Sequence, residues 1–526
     1  MIKTKDNLII KTASVIIAIM MILFLTNFIT ICAASFSGGS GTKGDPYLIK
    51  TPQDLDNIRN NLSAHYKLAA TIDMSDFGDF EPVGTSEPFT GTLSCDLGED
   101  GIPRYAILNL KVYNSIGKDY GYTFGSNNYA GYGEDGIHYY AALFGKTKGA
   151  SISNIILLGV NIENTVVGQH GGAADAAGNP ARVDVQCNDQ ATGGLISMAD
   201  STTIQGCGVQ GTINSKTNNV GGLVGKLENG SSVLNCWTDC NFNLGGFWRN
   251  AGFIGAVYAS SIQSCYCKGI INFKDYAIEY RLSQPPNGLS GFVRGLSSDS
   301  VISDCYSQVN INFSQPMSSR VLNDSVTFGP VSDDGGIYKN CYTTGTIGGK
   351  TDSIYGEENQ KAVNCWTLNT SGAQQLGFKG GSIEEIKAAF SGQSNWDISG
   401  EIPTLKGIKY INDYTVFVAG EERAGAGALS ADTSGNSSEA SGGSVLSASE
   451  AGQSYSTDEA GESGEDIIIE ANSSNESSII IFWCLIGLSI ALSAFSVATL
   501  FKALKIKKCI NPVENEDEEE EYEEVI

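Results

Sequence analysis

Two hydrophobic patterns alternate along residues 141–370. The first sets two or three apolar residues between small ones: AALFG from Ala141, GGLIS from Gly193, GGLVG from Gly221, AGFIG from Ala251 and SGFVR from Ser290. The second is an extended run around a cysteine. It reads IQGCGVQGTI (Ile204 to Ile213), VLNCWTDCNF (Val233 to Phe242), IQSCYCKGII (Ile262 to Ile271), ISDCYSQVNI (Ile302 to Ile311), YKNCYTTGTI (Tyr338 to Ile347) and AVNCWTLNT (Ala362 to Thr370). SISNIILLGVNI, from Ser151, is an earlier version without the cysteine. Most versions have an apolar residue three before the cysteine, and usually another six after it. Six residues obey the strand period of two, so Cys207 and Ile213 face the same way. Three do not, so the chain must bend between Ile204 and Cys207. The residue before the cysteine is Gly206, Asn235, Ser264, Asp304, Asn340 or Asn364. Gly, Asn and Asp tolerate a left-handed backbone, which predicts a corner there.

Short strands joined by corners, repeating every 25 to 40 residues or roughly so, make rungs of a solenoid. Each rung leaves its strand edges open until a neighbour stacks on it. A propeller has blades of similar length, but it needs antiparallel hairpins with tight turns, which are hard to find here. The predicted fold is therefore an all-β parallel solenoid with short capping helices. Thr51-Pro52-Gln53-Asp54 predicts a capped helix with Leu55, Ile58 and Leu62 on one face, covering the first rung. Tyr66 to Ile72 and Phe89 to Leu93 read as the first strands. Ser382 to Glu385 is a second capping box, opening a helix expected to seal the last rung, with Trp396 and Ile402 packed beneath it.

The GGLVG strand followed by an NCYxxG-type strand resembles the GLUG-motif repeats of bacterial surface proteins. The opening GTKGDPYLIKTPQDLDNIRNNLSAHYKLAATIDM, the PFTGTL at Pro88 to Leu93 and the closing SIEEIKAAFSGQSNWDISGEIPTLK are similar to the two ends of such proteins. Together these cover about residues 40–410. The resemblance implies a right-handed β-helix, as in adhesins and in the non-catalytic part of immunoglobulin-A-cleaving metalloproteases. The sequence departs from that pattern at Ser94 to Tyr105, where a longer, acidic turn replaces a short one.

Three stretches interrupt the rungs and are expected at corners, outside the core. Tyr113 to Tyr140 carries Tyr120, Tyr122, Tyr129, Tyr132, Tyr139 and Tyr140 among Gly and Asn. Val166 to Ala191 is rich in Gly, Ala and Asp; Lys274 to Asn287 carries Tyr276, Tyr280 and Arg281. Aromatic faces with hydroxyl tips suit stacking on sugars or contact with protein. Those six tyrosines are the candidate binding residues; the alternative is that their rings fold back over a corner.

Outside the repeats the pattern changes. Lys3, Lys5 and Lys11 precede an apolar run from Ala13 to Ile31 that ends in Ala33 and Ala34, a secretory signal peptide over residues 1–34. An uncleaved anchor and a lipoprotein centred on Cys32 are the alternatives. Residues 35–415 form the expected ectodomain. Residues 416–478 are dominated by Ser, Gly, Ala and acidic residues and read as a disordered stalk. Ile479 to Phe501 is uncharged and long enough to span a bilayer. Lys502, Lys505, Lys507 and Lys508 follow it, which places the C-terminus in the cytoplasm. The tail over residues 502–526 ends in a nearly all-acidic run, either solvated or docking a basic cytoplasmic partner. A formal net charge of -25 disfavours nucleic acid as a partner.

Candidate chemistry is sparse. The rung cysteines lack CxxC spacing for a metal site; they are expected inside, either as a thiol column or as disulfides between rungs. Histidines number three, His65, His138 and His170, each expected in an exposed loop and none in an HExxH motif. Asp200, Asp239, Asp304, Asp333 and Asp334 fall at different rung positions, so no acid/base pair is predicted. Asp96 to Gly101 has the look of a calcium loop, but Ile107 stands where the closing Glu belongs. No catalytic residue, metal or cofactor is assigned. The sequence points to a non-catalytic cell-surface adhesin or binding module for an extracellular glycan or protein. A polysaccharide lyase or glycoside hydrolase, or a purely structural spacer, is the alternative.

Overall fold

One left-handed residue turns each repeat from its short strand into its long one. Asn154, Gly206, Asn235, Ser264, Asp304, Asn340 and Asn364 all have φ between 51° and 65°. The expected corner is present, and it recurs at Asn154 in an earlier rung that lacks the aligned cysteine. The structure is a computed structural model describing residues 36–114, 140–164, 173–174, 180–181, 190–245, 248–274, 288–350, 352–356, 359–409, 411 and 414–424. The signal segment, membrane segment, acidic tail, His138, His170 and the tyrosines from Tyr120 to Tyr139 lie outside the described residues.

Each full rung runs through three parallel sheets. The third sheet takes the Gly-flanked strands Phe144–Lys148, Ile196–Asp200, Val224–Glu228, Ile254–Val257 and Val293–Leu296. The first takes three-residue strands such as Thr203–Gln205, Ser232–Leu234 and Ser261–Gln263, stacked ten deep from Tyr47–Ile49 to Ala362–Val363. After the corner the second takes the long strands Ile156–Asn164, Gly208–Ser215, Trp237–Leu244, Tyr266–Phe273 and Tyr306–Phe313. Neighbouring strands within all three sheets pair in parallel, for example Trp237↔Tyr266 through Leu244↔Phe273. This is a parallel β-solenoid, not a propeller.

Side chains of one type stack above their counterparts inside. Ile204, Val233, Ile262 and Ile302 align from the first sheet, Ile213, Phe242, Ile271 and Ile311 from the second. Phe253, Phe292 and Phe328 stack from the third, with ring centres 4.6 Å apart at each step. All are buried. Burying each such side chain is worth about 1.5–3 kcal/mol, so the repeat gains stability mainly through the stacked interior. The small residues before the third-sheet strands sit against the next rung: a Cβ on Gly291 would lie 2.0 Å from the Thr327 carbonyl oxygen.

At the N-terminal end the helix Pro52–Asn57 has the expected capping box between Thr51 and Asp54. Leu55 and Ile58 plug the interior, and Leu62 packs against it. The first strand lies earlier than read from the sequence, at Tyr47–Ile49, and its outer edge is covered by residues 36–41, with the Leu48 N–H donating to Gly38 O at 2.8 Å. The C-terminal helix Ile383–Phe390 also has its capping box. It does not seal the interior, however. Ile386 and Phe390 belong to a second apolar cluster, on the outer face of the second sheet. There the row Trp237, Tyr266, Tyr306, Tyr342 stacks rung upon rung, 5.0–6.2 Å between ring centres. From the helix the chain folds back along this row as a strap. Trp396, Leu405, Ile408 and Phe417 are buried in it, whereas Ile402 stays half-exposed. The strap reaches the first rungs, where Gly420 N–H donates to Thr71 O at 2.6 Å. The folded body therefore continues past the boundary expected at residue 415, at least to Ala424.

Candidate functional site

The interruptions of the solenoid share one corner. The stretch containing the tyrosines departs after Lys111–Asn114 and the Gly/Ala/Asp-rich stretch after Ile156–Asn164, two strands paired side by side with Asn114 opposite Asn164. The third departs beyond Tyr266–Phe273, in the same sheet. The return points of the first two neighbour each other, Tyr140–Ala141 pairing in parallel with Ala191–Thr192; the third returns at Ser290, which bridges Ala251 further along the same stack. Of the six candidate tyrosines only Tyr140 is described. It is half-buried at this corner, with Lys146 Nζ 5.9 Å from its ring centre.

A buried polar network lies beneath the corner, and sequence reasoning missed it. Thr192 Oγ1 meets Ser215 Oγ at 3.0 Å and Thr217 Oγ1 at 2.8 Å, and accepts from Asn164 Nδ2 at 3.1 Å. Asn219 Nδ2 donates to Gln190 O at 2.8 Å. Hydrogen-bonded hydroxyls and amides in the interior fix geometry, since an unmade bond there is costly. The network holds both ends of residues 165–189. Its only sequence signal was the polar residues that precede GGLIS and GGLVG.

The acidic turn has a structural partner. Arg423 Nη2 donates to both Asp100 carboxylate oxygens, at 2.7 and 2.6 Å, and Arg423 N–H donates to Arg104 O at 2.9 Å. Partial burial works against Asp100's charge, but the Ile102 N–H and the Arg423 guanidinium outweigh it and hold the carboxyl below the usual carboxylate range. The turn is a clasp for the strap's end. A small cleft of about 130 Å³ opens beside it, lined by Leu97, Pro103, Asn235, Trp237 and Lys409 among others.

The carboxylates singled out from the sequence are dispersed. Asp200 pairs with Lys148 at 3.6 Å on the third sheet and Asp239 with Lys268 at 3.1 Å on the second. Asp304 sits in a corner, accepting from Asn340 at 3.2 Å and Asn395 at 3.0 Å. Asp333 and Asp334 occupy an exposed turn. His65 is not in an exposed loop: it lies half-buried on the strand His65–Leu68, its Nδ1 2.9 Å from Thr92 Oγ1. Among the described residues no three His, Cys, Asp or Glu side chains gather as metal ligands.

The cysteines form the interior column that the strand phase required. Cys207, Cys236, Cys265, Cys305, Cys341 and Cys365 are buried and free. Backbone N–H of Cys207 donates to Cys236 Sγ at 3.3 Å, and the same contact recurs from Cys236 to Cys265 and from Cys265 to Cys305 at 3.4 Å. Each thiol also donates to the carbonyl two residues back, as Cys236 does to Leu234 O at 3.2 Å. Burial pushes the thiols of Cys207, Cys236 and Cys305 well above their ordinary value. Such groups act as small apolar residues, not nucleophiles.

The described body thus belongs to the parallel β-solenoids, and the three interruptions depart from it along one corner. No family model matches the chain. A stretch of 56 residues is 45% identical to a candidate Gly-rich membrane protein of Evansella cellulosilytica, spanning 9% of this chain and 6% of that relative. Among solved structures the chain is similar to a candidate immunoglobulin A1 protease from Bacteroides ovatus, with TM-score 0.43 and 17% identity over 71% of this chain and 96% of that one. It is also similar to an IgA1 protease, with TM-score 0.42 and 14% identity over 70% of this chain and 26% of that one. No helix of the described residues is long and apolar enough to cross a membrane.

Proposed function

We propose that the protein is a membrane-anchored bacterial surface solenoid whose role is binding, as an adhesin or receptor for an extracellular glycan or protein, without catalysis. The observation that carries this reading is the shared corner: residues 115–139 and 165–189 leave and rejoin neighbouring rungs there, and residues 275–287 leave the same corner three rungs further on. A rigid stack that presents several variable segments together is a scaffold suited to recognition. The tyrosines Tyr120, Tyr122, Tyr129, Tyr132, Tyr139 and Tyr140 supply its aromatic contacts. The right hand of the coil follows from the strong preference of parallel crossovers. Residues 1–34 export the chain, Ile479 to Phe501 anchors it, and the acidic tail faces the cytoplasm; the relative named for its membrane location agrees with an anchor. The test is a glycan and matrix-protein array probed with the wild-type chain and with the Tyr120→Ala/Tyr122→Ala/Tyr132→Ala variant. Binding that the triple variant loses supports the reading; binding that it retains in full removes the tyrosines from the site.

A further inference from the structure

The outer face of the second sheet is divided lengthwise. The strap covers the first residues of each long strand, and the last four are bare. Two rows of side chains point outward from that bare half. One reads Asn161, Thr212, Asn241, Ile270, Asn310 and the other Glu163, Asn214, Asn243, Asn272, Asn312, each in register across five strands. Asn161, Asn241, Asn243, Asn272, Asn310 and Asn312 are exposed, and Ile270 is 39% exposed. Seven of these ten positions are asparagine, and Glu163 at one end is the sole charge.

We propose that this strip binds an uncharged polysaccharide laid along the stacking axis. Strands in a sheet stand about 4.8 Å apart and alternate residues about 6.8 Å apart, so the rows form a regular grid of carboxamides. A carboxamide both donates and accepts hydrogen bonds, as a sugar hydroxyl does. The amides already link along the grid: Asn243 Nδ2 donates to Asn214 Oδ1 at 2.7 Å, and Asn310 Oδ1 accepts from Thr346 N–H and Oγ1 at 3.0 and 2.9 Å. Ile270 offers an apolar spot for the C–H face of a ring. The chain carries a net charge of -25, yet this strip is nearly neutral, and the adjoining row neutralises itself through the Asp239–Lys268 pair. Within the five strands a polyanion finds no cation, and Lys111, in register beyond Asn161, is paired with Asp79 at 3.0 Å. A protein partner would want an aromatic or Arg anchor in a pocket; the five strands present none, and Tyr113, in register beyond Glu163, is half-buried at the end of the strip. A neutral polymer with evenly repeated hydroxyls fits the spacing, the charge and the donor–acceptor balance together. The inference rests on the reading of the protein as a binding module, and not on the tyrosine segment.

The experiment measures binding of the full-length chain to labelled β-1,4-glucan, xylan, mannan and polygalacturonate, each as polymer and as free monosaccharide. Two variants run in parallel: Asn241→Ala/Asn243→Ala/Asn272→Ala, and the tyrosine triple. These asparagines are exposed, so the fold should be unchanged by circular dichroism. The expected result is binding of at least one neutral polymer, weak competition by its monosaccharide, and binding about tenfold weaker or worse in the asparagine variant. A polymer bound equally by the asparagine variant but lost by the tyrosine variant overturns this inference and leaves the proposed function standing. Preference for polygalacturonate, or no neutral polymer bound, also overturns it. Binding lost only in the asparagine variant supports the strip and withdraws the tyrosines from the glycan site.

Discussion

Asparagine carries the fold at its corners. A left-handed backbone costs an ordinary L-residue about 1–2 kcal/mol, and Asn and Gly escape most of it. Asn235, at φ 53°, and Gly206, at φ 65°, are therefore interchangeable in kind. Asn235→Gly should leave the urea midpoint nearly unchanged, and Asn235→Ala should lower stability by about 1 kcal/mol. An alanine variant as stable as the wild type would mean that the corner residue is not under this constraint. The adjacent thiols make a second residue-scale prediction. Iodoacetamide applied to the native chain, followed by peptide mapping, should leave Cys207, Cys236, Cys265 and Cys305 unmodified, and denaturant should open all four. These positions were legible in the sequence because the three-residue gap before each cysteine breaks strand phase, and only a bend restores it. Whether the thiols were free was not legible, since Cα separation between stacked rungs permits either state.

Among the elements the strap was the hardest to foresee. Its capping box and its Trp396 were visible, but nothing local says which apolar surface a short helix will meet. The answer lies in the alternate residues Trp237, Tyr266, Tyr306 and Tyr342. They face outward yet are large and apolar, and an outward aromatic row requires a cover. The far end of that cover depends on Arg423, buried to 6% exposure against the 40% exposed Asp100. Arg423→Ala should cost about 1.5–3 kcal/mol of local stability, read as faster amide exchange over residues 414–424 with little change in the central rungs. Acid should act on the same clasp. Asp100 titrates lower in the folded chain than in the unfolded one, so its contribution is present above the ordinary carboxylate value. It is lost as pH falls through the depressed value. Tryptophan fluorescence, reporting Trp237 beneath the strap and Trp396 within it, should show an acid step that Arg423→Ala removes. Asp397, held low by Ser399, titrates in the same direction and would leave its own step in that variant.

At the scale of the molecule the solenoid behaves as a chain of neighbours. Each rung owes its stability to the two it touches, so exchange should be slowest in the rungs of Val224–Glu228 and Ile254–Val257 and fastest at the last one. The last rung leaves Tyr355, Val363 and Leu376 exposed, at 40%, 47% and 55%. Uniform exchange along the stack would contradict this additive picture. The overall architecture was readable because repetition multiplies a weak local signal: five GGLVG-like runs say together what one cannot. The candidate site was much less so. The tyrosine segment stood out by composition, but the paired departure points at Asn114 and Asn164 emerge only from register, and the Asn rows only from stacking.

The return of the strap has a mechanical consequence. Residues 36–49 and 416–424 meet at the same first rungs, so the coil is entered and left at one end. Tension applied between the two chain ends is borne by those rungs and by the Asp100–Arg423 pair, and the remaining turns stay slack. A tug at the base can spring the clasp while the far turns keep their shape.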